Sequence, residues 1–324
     1  MDILGGPDPS SISQVSSTKG AITLPWPKSD RVRLITKLGT GCYSAKLLSD
    51  SAVAPFETQP LISAGAFREN VRFRNEVGTK SYFHKAITSS QGSQSEHTSV
   101  SAKGSAGCTF ANISGTGAYN KSVMENNDDI MASIQATIRT GVIYFDQPRL
   151  SLDAIADVRR SRKDPSYFSR KYGDYYVASL RLGADAGLLA SVSTKQRSEK
   201  ESLEVKAKLH VLWWDIEKDY NEEQHSQEAW SSFRITAFET LGGTNVQNGA
   251  SQEQPATVAL SYIQQVSDLE KNVRNKMRAL DLKENKTLNR EEVQKVCESG
   301  LVAEVTLLPC TQIRDYTATL LERD

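Results

Sequence analysis

The sequence predicts an α+β fold built around an antiparallel sheet of long strands. Apolar and polar residues alternate strictly over several long runs, which is typical of strands because successive side chains point to opposite faces. Segments with helical spacing lie between and after these runs, and no repeat of solenoid length is present. The 324 residues, 38% of them hydrophobic, are enough to bury a substantial core.

Composition excludes several functional classes. The 39 basic and 39 acidic residues give a net charge of zero, so no bulk basic field is present and no nucleic-acid partner is predicted. No stretch reaches the roughly 18 apolar residues of a spanning helix, and the N-terminus has no signal-peptide pattern. The four cysteines and four histidines are scattered, which predicts free thiols, no catalytic residues, no metal site and no cofactor.

The first third of the chain combines a lead segment with a long two-faced strand. Residues 1–29 are rich in Ser, Gly and Pro and predict a flexible lead, followed by a single domain over residues 30–324 that starts with a strand at 31–36. Residues 81–122 have the composition of a linker, yet strict alternation from Ser99 to Phe110 favours a strand. Its apolar side carries, among others, Val100, Ala102, Ala106 and Phe110.

A second two-faced strand follows the polar residues 124–129. Its apolar side includes Ala132, Ile134, Ala136 and Ile138. Residues 151–171 then have helical spacing and a basic end, which indicates a solvated helix end in preference to a localisation signal. Strand character returns from Tyr175 to Val192.

The remaining elements are a third alternating strand, several helices and a final strand. The third strand is predicted over residues 203–213, and its apolar side is Leu203, Val205, Ala207, Leu209, Val211 and Trp213. The other predicted elements are a helix at 215–230, a strand at 233–237, helices at 257–280 and 290–298, and a strand at 301–308. The loop 281–292 has the spacing of an EF-hand, but Lys283 and Lys286 occupy essential positions, so a surface helix-loop-helix is the default interpretation.

A short motif in the middle of the chain resembles the signature of the membrane attack complex/perforin (MACPF) family. The family pattern is aromatic, Gly, Thr or Ser, His, aromatic, six residues, Gly-Gly. Tyr172, Gly173, Tyr176 and Gly183 match it with the spacing kept, whereas Asp174, Tyr175 and Ala184 depart from it. The order of a Ser- and Gly-rich two-faced segment, a helix, the motif, a second two-faced segment and Gly242-Gly243 also resembles the family, over roughly residues 31–310.

The resemblance implies a bent, twisted, four-stranded antiparallel sheet flanked by two clusters of short helices, as in MACPF and cholesterol-dependent cytolysin folds. In pore-forming members the clusters open as two hairpins, and each subunit adds them to a β-barrel. Gly183, Gly242 and Gly243 are then hinge candidates, although Gly-Gly is equally consistent with a plain turn. The apolar residues of the runs at 100–110, 132–144 and 203–213 become candidates for membrane insertion; ordinary half-buried strands remain the alternative.

Two functions are consistent with the resemblance. The first is a pore-forming protein, secreted without a recognisable signal peptide or cytoplasmic until released, that forms a homo-oligomeric ring on a target lipid membrane. Because the predicted domain fills almost the whole chain, a separate membrane-targeting module is not expected. Targeting is expected to come from a partner protein or from a very small patch at the C-terminal end. The second function is a non-lytic interaction or defence protein that keeps the fold, and the departures at Asp174, Tyr175 and Ala184 favour it.

Overall fold

The computed structural model describes residues 20–27, 36–47, 55–57, 59–89, 94–99, 114–194, 198–215, 233–241, 247–248, 255–284 and 286–322. The strands within these residues are β1 (Ile22–Pro25), β2 (Gly41–Cys42), β3 (Val71–Thr88), β4 (Ile130–Phe145), β5 (Tyr175–Val192), β6 (Arg234–Glu239), β7 (Gln247–Asn248) and β8 (Val302–Pro309). The α-helices are α1 (Ser44–Leu47), α2 (Ala64–Glu69), α3 (Gly115–Met124), α4 (Leu152–Arg160), α5 (Tyr167–Tyr172), α6 (Glu199–Asp215), α7 (Pro255–Ala279), α8 (Arg290–Glu298) and α9 (Arg314–Leu321), and short 3-10 helices lie at Gln94–His97 and Cys310–Gln312.

All eight strands belong to one antiparallel sheet. The main order is β1-β8-β5-β4-β3, while β2 pairs with the start of β5 and β6 pairs with both β5 and β7. The predicted α+β class with an antiparallel sheet is therefore confirmed. The predicted count of four strands is wrong for the sheet as a whole, because short strands and β8 extend it at its edges.

The sheet has two parts that are joined along β5. We call the region where β8 pairs with residues 175–182 of β5 the lower part, and the region where β6 pairs with residues 186–191 the upper part. A large apolar core that includes Phe73, Phe168 and Val305 fills the lower part. In the upper part, α7 and α6 pack on one face of β4 and β5, and α3 and the 3-10 helix Gln94–His97 pack on the other.

Most predicted elements are confirmed with small shifts at their ends. The strand Tyr175–Val192 and the helix at 290–298 have the predicted bounds, and α7, β4, β6 and β8 differ from prediction by a few residues. The helix predicted at 151–171 is divided into α4 and α5, because Pro165 lies between them and cannot continue a helix.

Two predictions are wrong. Residues 20–27 are not part of a flexible lead: β1 pairs with β8, and Leu24 and Trp26 are buried. Residues 203–213 form no strand, because they lie inside α6. Leu, Ala, Glu and Lys are good helix formers, and the buried pair Val205 and Leu209 has the spacing of one helix face.

Several other predictions fall outside the described residues. They are the strand at 31–36, except for its last residue, the part of the first two-faced strand from Val100 to Phe110, and almost all of the helix at 215–230.

Candidate functional site

The pairing of the strands is irregular where the lower and upper parts of the sheet meet, and we call this level the bend. Each of three neighbouring strand pairs loses register at this level: β3 with β4 between Asn75 and Lys80, β4 with β5 at Thr140, and β5 with β8 at Ala303. Such irregularities leave one or more extra residues on one strand and typically sharpen its local bend and twist. The three irregularities lie side by side, at the same level of neighbouring strands.

Gly183 lies in this bend, and its neighbours leave no space for a side chain. Its φ angle is 154°, and a Cβ atom added to it would stand 1.9 Å from the carbonyl oxygen of Ile138. The Gly183 N–H donates to the carbonyl of Leu301 at 2.7 Å. Glycine is therefore required for β4 and β8 to approach β5 at this point.

A buried ionic network fills the polar side of the bend. The Arg139 guanidinium is 1% exposed and lies 2.9 Å from Asp185 Oδ1 and 2.7 Å from Glu304 Oε1. Arg181 joins the same network, donating to Glu76 at 2.9 Å and to Glu304 at 3.4 Å. These five residues come from β3, β4, β5 and β8, so the network connects four strands across the bend.

The charges in this network stabilise one another. Burial alone would raise the pKa of Glu304, but Arg139 and Arg181 outweigh burial and hold that pKa below its ordinary value. Burial likewise disfavours the charged form of Arg139, yet Asp185 and Glu304 raise the pKa of its guanidinium. A buried network of this kind is costly to break by removing one partner, because the remaining charges stay buried without compensation.

The signature-like segment anchors the lower end of β5. Gly173 has a φ of 84°, and a Cβ atom on it would lie 2.2 Å from the carbonyl oxygen of Cys42. Tyr172 is buried and donates its hydroxyl to Asp157 at 3.1 Å, while Tyr176 is buried and pairs with Gly41. The matching residues thus hold α5, β5 and the strand β2 together.

Two of the three departures from the family pattern, Asp174 and Ala184, have local structural explanations. The Asp174 carboxylate accepts hydrogen bonds from the backbone N–H of Ser44, at 2.8 Å, and from the Ser44 hydroxyl, at the start of α1. Ala184 is fully buried on the face of the sheet that α7 covers, where its methyl group belongs to the apolar core. Neither departure disturbs the pairing of β5 with its neighbours.

Two long connections leave the upper end of the sheet. Residues 89–129, the first connection, join β3 to β4, and residues 193–233, the second connection, join β5 to β6; the two are equal in length. Their four strand ends are adjacent, since Thr88 pairs with Met131, Ile130 with Val192 and Ser191 with Arg234. The described parts of both connections fold back as helices onto the sheet.

The described part of the first connection covers the polar face of β4. This face carries Ser133, Gln135 and Thr137, all of them buried. The apolar contacts here form a small cluster of five buried residues: Tyr119, Val123, Met131, Leu189 and Phe238. Hydrogen bonds complete the contact, including those of His97 with Ser133 at 2.8 Å and of Gln135 with the His97 carbonyl at 2.6 Å.

The described part of the second connection, α6, lies with α7 on the apolar face of the same strands. Val205 and Leu209 of α6 are buried in the cluster that also contains residues of α7. The predicted insertion residues Ala132, Ile134, Ala136 and Ile138 belong to β4 and lie in this cluster. Leu203, in contrast, is 63% exposed, and Ala207 is exposed as well.

The remaining predicted site residues form two groups. One group lies outside the described residues, and the other lies in a described helix but its side chains are not described. The first group comprises Val100, Ala102, Ala106, Phe110, Gly242 and Gly243. Val211 and Trp213 lie in the helix α6, but their side chains are not described. Sequence analysis missed the network at the bend and the contacts of His97, because neither has a local spacing pattern.

Two further observations concern ligands and membranes. Among the described residues, no group of three or more His, Cys, Asp and Glu side chains is arranged to hold a metal ion. In the EF-hand-like loop, Glu292 accepts from Lys286 at 2.6 Å and from the backbone of Asn289 at 2.9 Å. Within the same described part of the chain, no helix is long and apolar enough to cross a membrane.

Comparisons with known proteins found similar solved structures only. No family model matches the chain, and no curated protein matches it in sequence. Similar structures include GNIP1Aa from Chromobacterium piscinae, at 14% identity with a TM-score of 0.35, covering 93% of this chain and 55% of that one. The cytotoxin suilysin from Streptococcus suis is 11% identical, with a TM-score of 0.31 and coverage of 91% and 62%.

A third similar structure carries the domain that the signature motif resembles. It is a putative cell invasion protein with a MAC/Perforin domain from Bacteroides thetaiotaomicron, 11% identical, with a TM-score of 0.28, covering 87% of this chain and 62% of that one. This chain therefore spans less than two thirds of the length of each of these three proteins.

Proposed function

We propose that this protein forms pores in a target lipid membrane by inserting two β-hairpins from each subunit of a homo-oligomeric ring. The observation that carries the proposal is the placement of the two connections. Both leave and re-enter the sheet at its upper end, between strands that are direct antiparallel neighbours in the order β3-β4-β5-β6. If both connections became hairpins, they would extend one continuous four-stranded sheet.

The length of the connections is sufficient for this change. A tilted strand needs roughly 9–11 residues to cross the apolar part of a bilayer. Residues 89–129 and 193–233 each exceed twice that length and leave room for a turn. In this proposal, β3–β6 correspond to the four-stranded sheet that the resemblance implies. The two connections correspond to its two helical clusters.

The sequence of α6 supports a second, extended state. Residues 203–213 alternate between apolar and polar side chains, yet they are helical here. In a helix this alternation leaves Leu203 exposed, whereas in a strand it would place all the apolar side chains of the run on one face. The same alternation occurs at Val100, Ala102, Ala106 and Phe110 in the first connection.

Physical chemistry requires many subunits for such an insertion. Backbone N–H and C=O groups in lipid must all be paired, so hairpins enter a bilayer only as part of a closed barrel. Four strands are too few to close a barrel of any known membrane type. The ring in this proposal therefore forms before or during insertion, and a separate membrane-binding protein brings the subunits to the membrane.

The bend gives a specific reason to consider the alternative, a non-lytic interaction or defence protein. Opening the sheet at Gly183 would strain a network in which Arg139, Asp185 and Glu304 are all buried. A protein that never opens would retain this network as a fixed structural element. The two functions differ in whether the connections ever leave the sheet.

Dye release from liposomes, with electron microscopy of the same samples, tests the proposal. Leakage accompanied by rings is the expected result, measured with and without a candidate membrane-binding partner. Asn126 Nδ2 at the end of the first connection lies 2.8 Å from Ser191 Oγ on β5. A disulfide formed after Asn126→Cys and Ser191→Cys should hold these two segments together and abolish leakage until it is reduced.

A matched disulfide serves as the control. Thr23→Cys and Thr306→Cys lie directly opposite each other on β1 and β8 in the lower part, which the proposal leaves unchanged. Leakage should survive this second lock. Leakage that also survives the first lock would refute insertion of the hairpins, and absence of both leakage and rings under every condition would favour the non-lytic function.

A further inference from the structure

His97 joins the first connection to two strands of the sheet. The residue is fully buried at the end of the 3-10 helix Gln94–His97. Its Nδ1 lies 2.8 Å from the Ser133 hydroxyl on β4, and its Nε2 lies 2.7 Å from the Thr88 hydroxyl on β3. Its backbone carbonyl accepts from Gln135 on β4 and from Tyr119 on α3. One residue thus connects β3, β4 and α3.

These contacts suit a neutral imidazole. A neutral ring has one donor and one acceptor nitrogen, and two hydroxyl groups satisfy both, because a hydroxyl can donate or accept. A protonated ring has two donors and carries a charge. Neither ring partner is a carboxylate, so this buried site offers no countercharge to the imidazolium in direct contact.

Within the described parts of the chain, the ionisable groups around His97 do not compensate for that charge. His84 on β3 adds a like charge when protonated, and Tyr119 on α3 is a neutral phenol. The contacting residues of β4, Ser133 and Gln135, are uncharged, and the side chain of Glu96 on the same 3-10 helix is exposed. Burial, with a further contribution from His84, lowers the pKa of His97 to about 4.

We propose that His97 is a proton-operated latch, which holds the first connection on the polar face of β4 at neutral pH and loosens it in mildly acidic solution. The inference rests on the proposed function, since it assigns a trigger to the release of one of the two connections. The apolar contact that α3 makes here consists of Tyr119 and Val123 against Met131, Leu189 and Phe238, so the hydrogen bonds of His97 form a substantial part of the docking.

The direction of the pH effect follows from the two protonation equilibria. In the released state His97 takes up a proton near its ordinary pKa of 6.5, whereas in the docked state it does so only near 4. Docking is therefore unaffected above about pH 7 and weakens as the pH falls below 6.5. The difference corresponds to a loss of about 30-fold in the docking equilibrium at pH 5 and of at most roughly 300-fold at lower pH.

Hydrogen–deuterium exchange of the whole chain without lipid tests the latch. After correction for intrinsic rates, amides of α3 and of residues 94–99 should exchange up to about 30-fold faster at pH 5 than at pH 7, while those of α7 should not respond. His97→Gln keeps hydrogen-bonding groups without titrating, so this variant should retain protection at neutral pH and lose the acid response. His84→Gln is the matched control and should keep that response.

Two outcomes would overturn the latch: exchange in α3 that is independent of pH in the wild type, or an acid response that persists in His97→Gln. If that variant does not fold, an NMR titration of His97 in the wild type decides instead, and an ordinary pKa near 6.5 would overturn the proposal. Because these measurements contain no lipid, they are separate from pore formation. Acid-dependent exchange without liposome leakage would refute the pore alone, and leakage without acid-dependent exchange would refute the latch alone.

Discussion

The two faces of the upper part of the sheet are covered in different ways. On the apolar face, Ile134 and Leu188 are buried with Leu209 of α6 and Val266 of α7 in an extensive cluster. On the polar face, five buried apolar residues and a set of hydrogen bonds hold the first connection. Apolar packing, most of it with α7, covers one face of these strands, whereas the other face combines a smaller apolar cluster with hydrogen bonds.

This difference affects how readily each cover can leave. Among the described side chains, α6 contributes Val205 and Leu209 to the apolar cluster, and apolar contacts lose about 25 cal/mol for each Å² that returns to water. Hydrogen bonds exchanged for bonds with water contribute only about 0.5–1.5 kcal/mol each. We therefore expect the first connection to be released before the second, and the following predictions test whether the two faces differ in this way.

The largest effect is expected at Arg139, where the polar face meets the bend. Arg139→Leu leaves Asp185 and Glu304 buried without their common partner, so the free energy of unfolding should fall by about 3–5 kcal/mol. Urea denaturation at neutral pH measures this. Because the pKa of Glu304 is held low, the network stabilises the fold fully at neutral pH and loses its contribution as the pH falls below the ordinary glutamate range.

A combined variant controls for the loss of packing. Arg139→Leu together with Asp185→Asn and Glu304→Gln removes the charges as well as their partner, and it should recover a substantial part of the lost stability. Equal destabilisation in the single and combined variants would show that shape, and not charge, fixes the bend. The polar face at the bend would then depend on packing, as the apolar face does.

The second largest effect is expected on the apolar face. Leu209→Ala should cost about 2–4 kcal/mol because Leu209 is fully buried, whereas Leu203→Ala should change stability by less than about 0.5 kcal/mol. Both residues fall on the same side of the alternating run. Equal costs for the two substitutions in urea denaturation would contradict the helical packing of α6.

The sequence predicts best the elements whose local pattern allows one interpretation. Tyr175–Val192 is a strand over its predicted bounds, because its apolar and small residues are flanked by turn-forming positions. Residues 203–213 fit both a strand, by alternation, and a helix, by composition and by the spacing of Val205 and Leu209. The contacts with β4 decide between them, and no local pattern contains those contacts.

The candidate site was predictable only in part. Gly183 follows from the motif, since its spacing from Tyr172 is fixed along the chain. The network of Arg139 was not predictable, because Asp185 and Glu304 are distant in sequence and only the pairing of β4, β5 and β8 brings them together. His97 is likewise an isolated histidine in the sequence, and its two hydroxyl partners lie on different strands.

The smallest effect is expected from Tyr119→Phe on the polar face. This substitution removes the hydroxyl that donates to the His97 carbonyl at 3.3 Å and keeps the ring that packs 4.6 Å from Phe238. Docking of the first connection should weaken by about 0.5–1.5 kcal/mol, seen as faster hydrogen exchange in α3 at neutral pH. Exchange in α6 should not change, because its contacts lie on the other side of the sheet. If α6 accelerates to the same extent as α3, the two faces open as one cooperative unit, and the order of release inferred above is wrong.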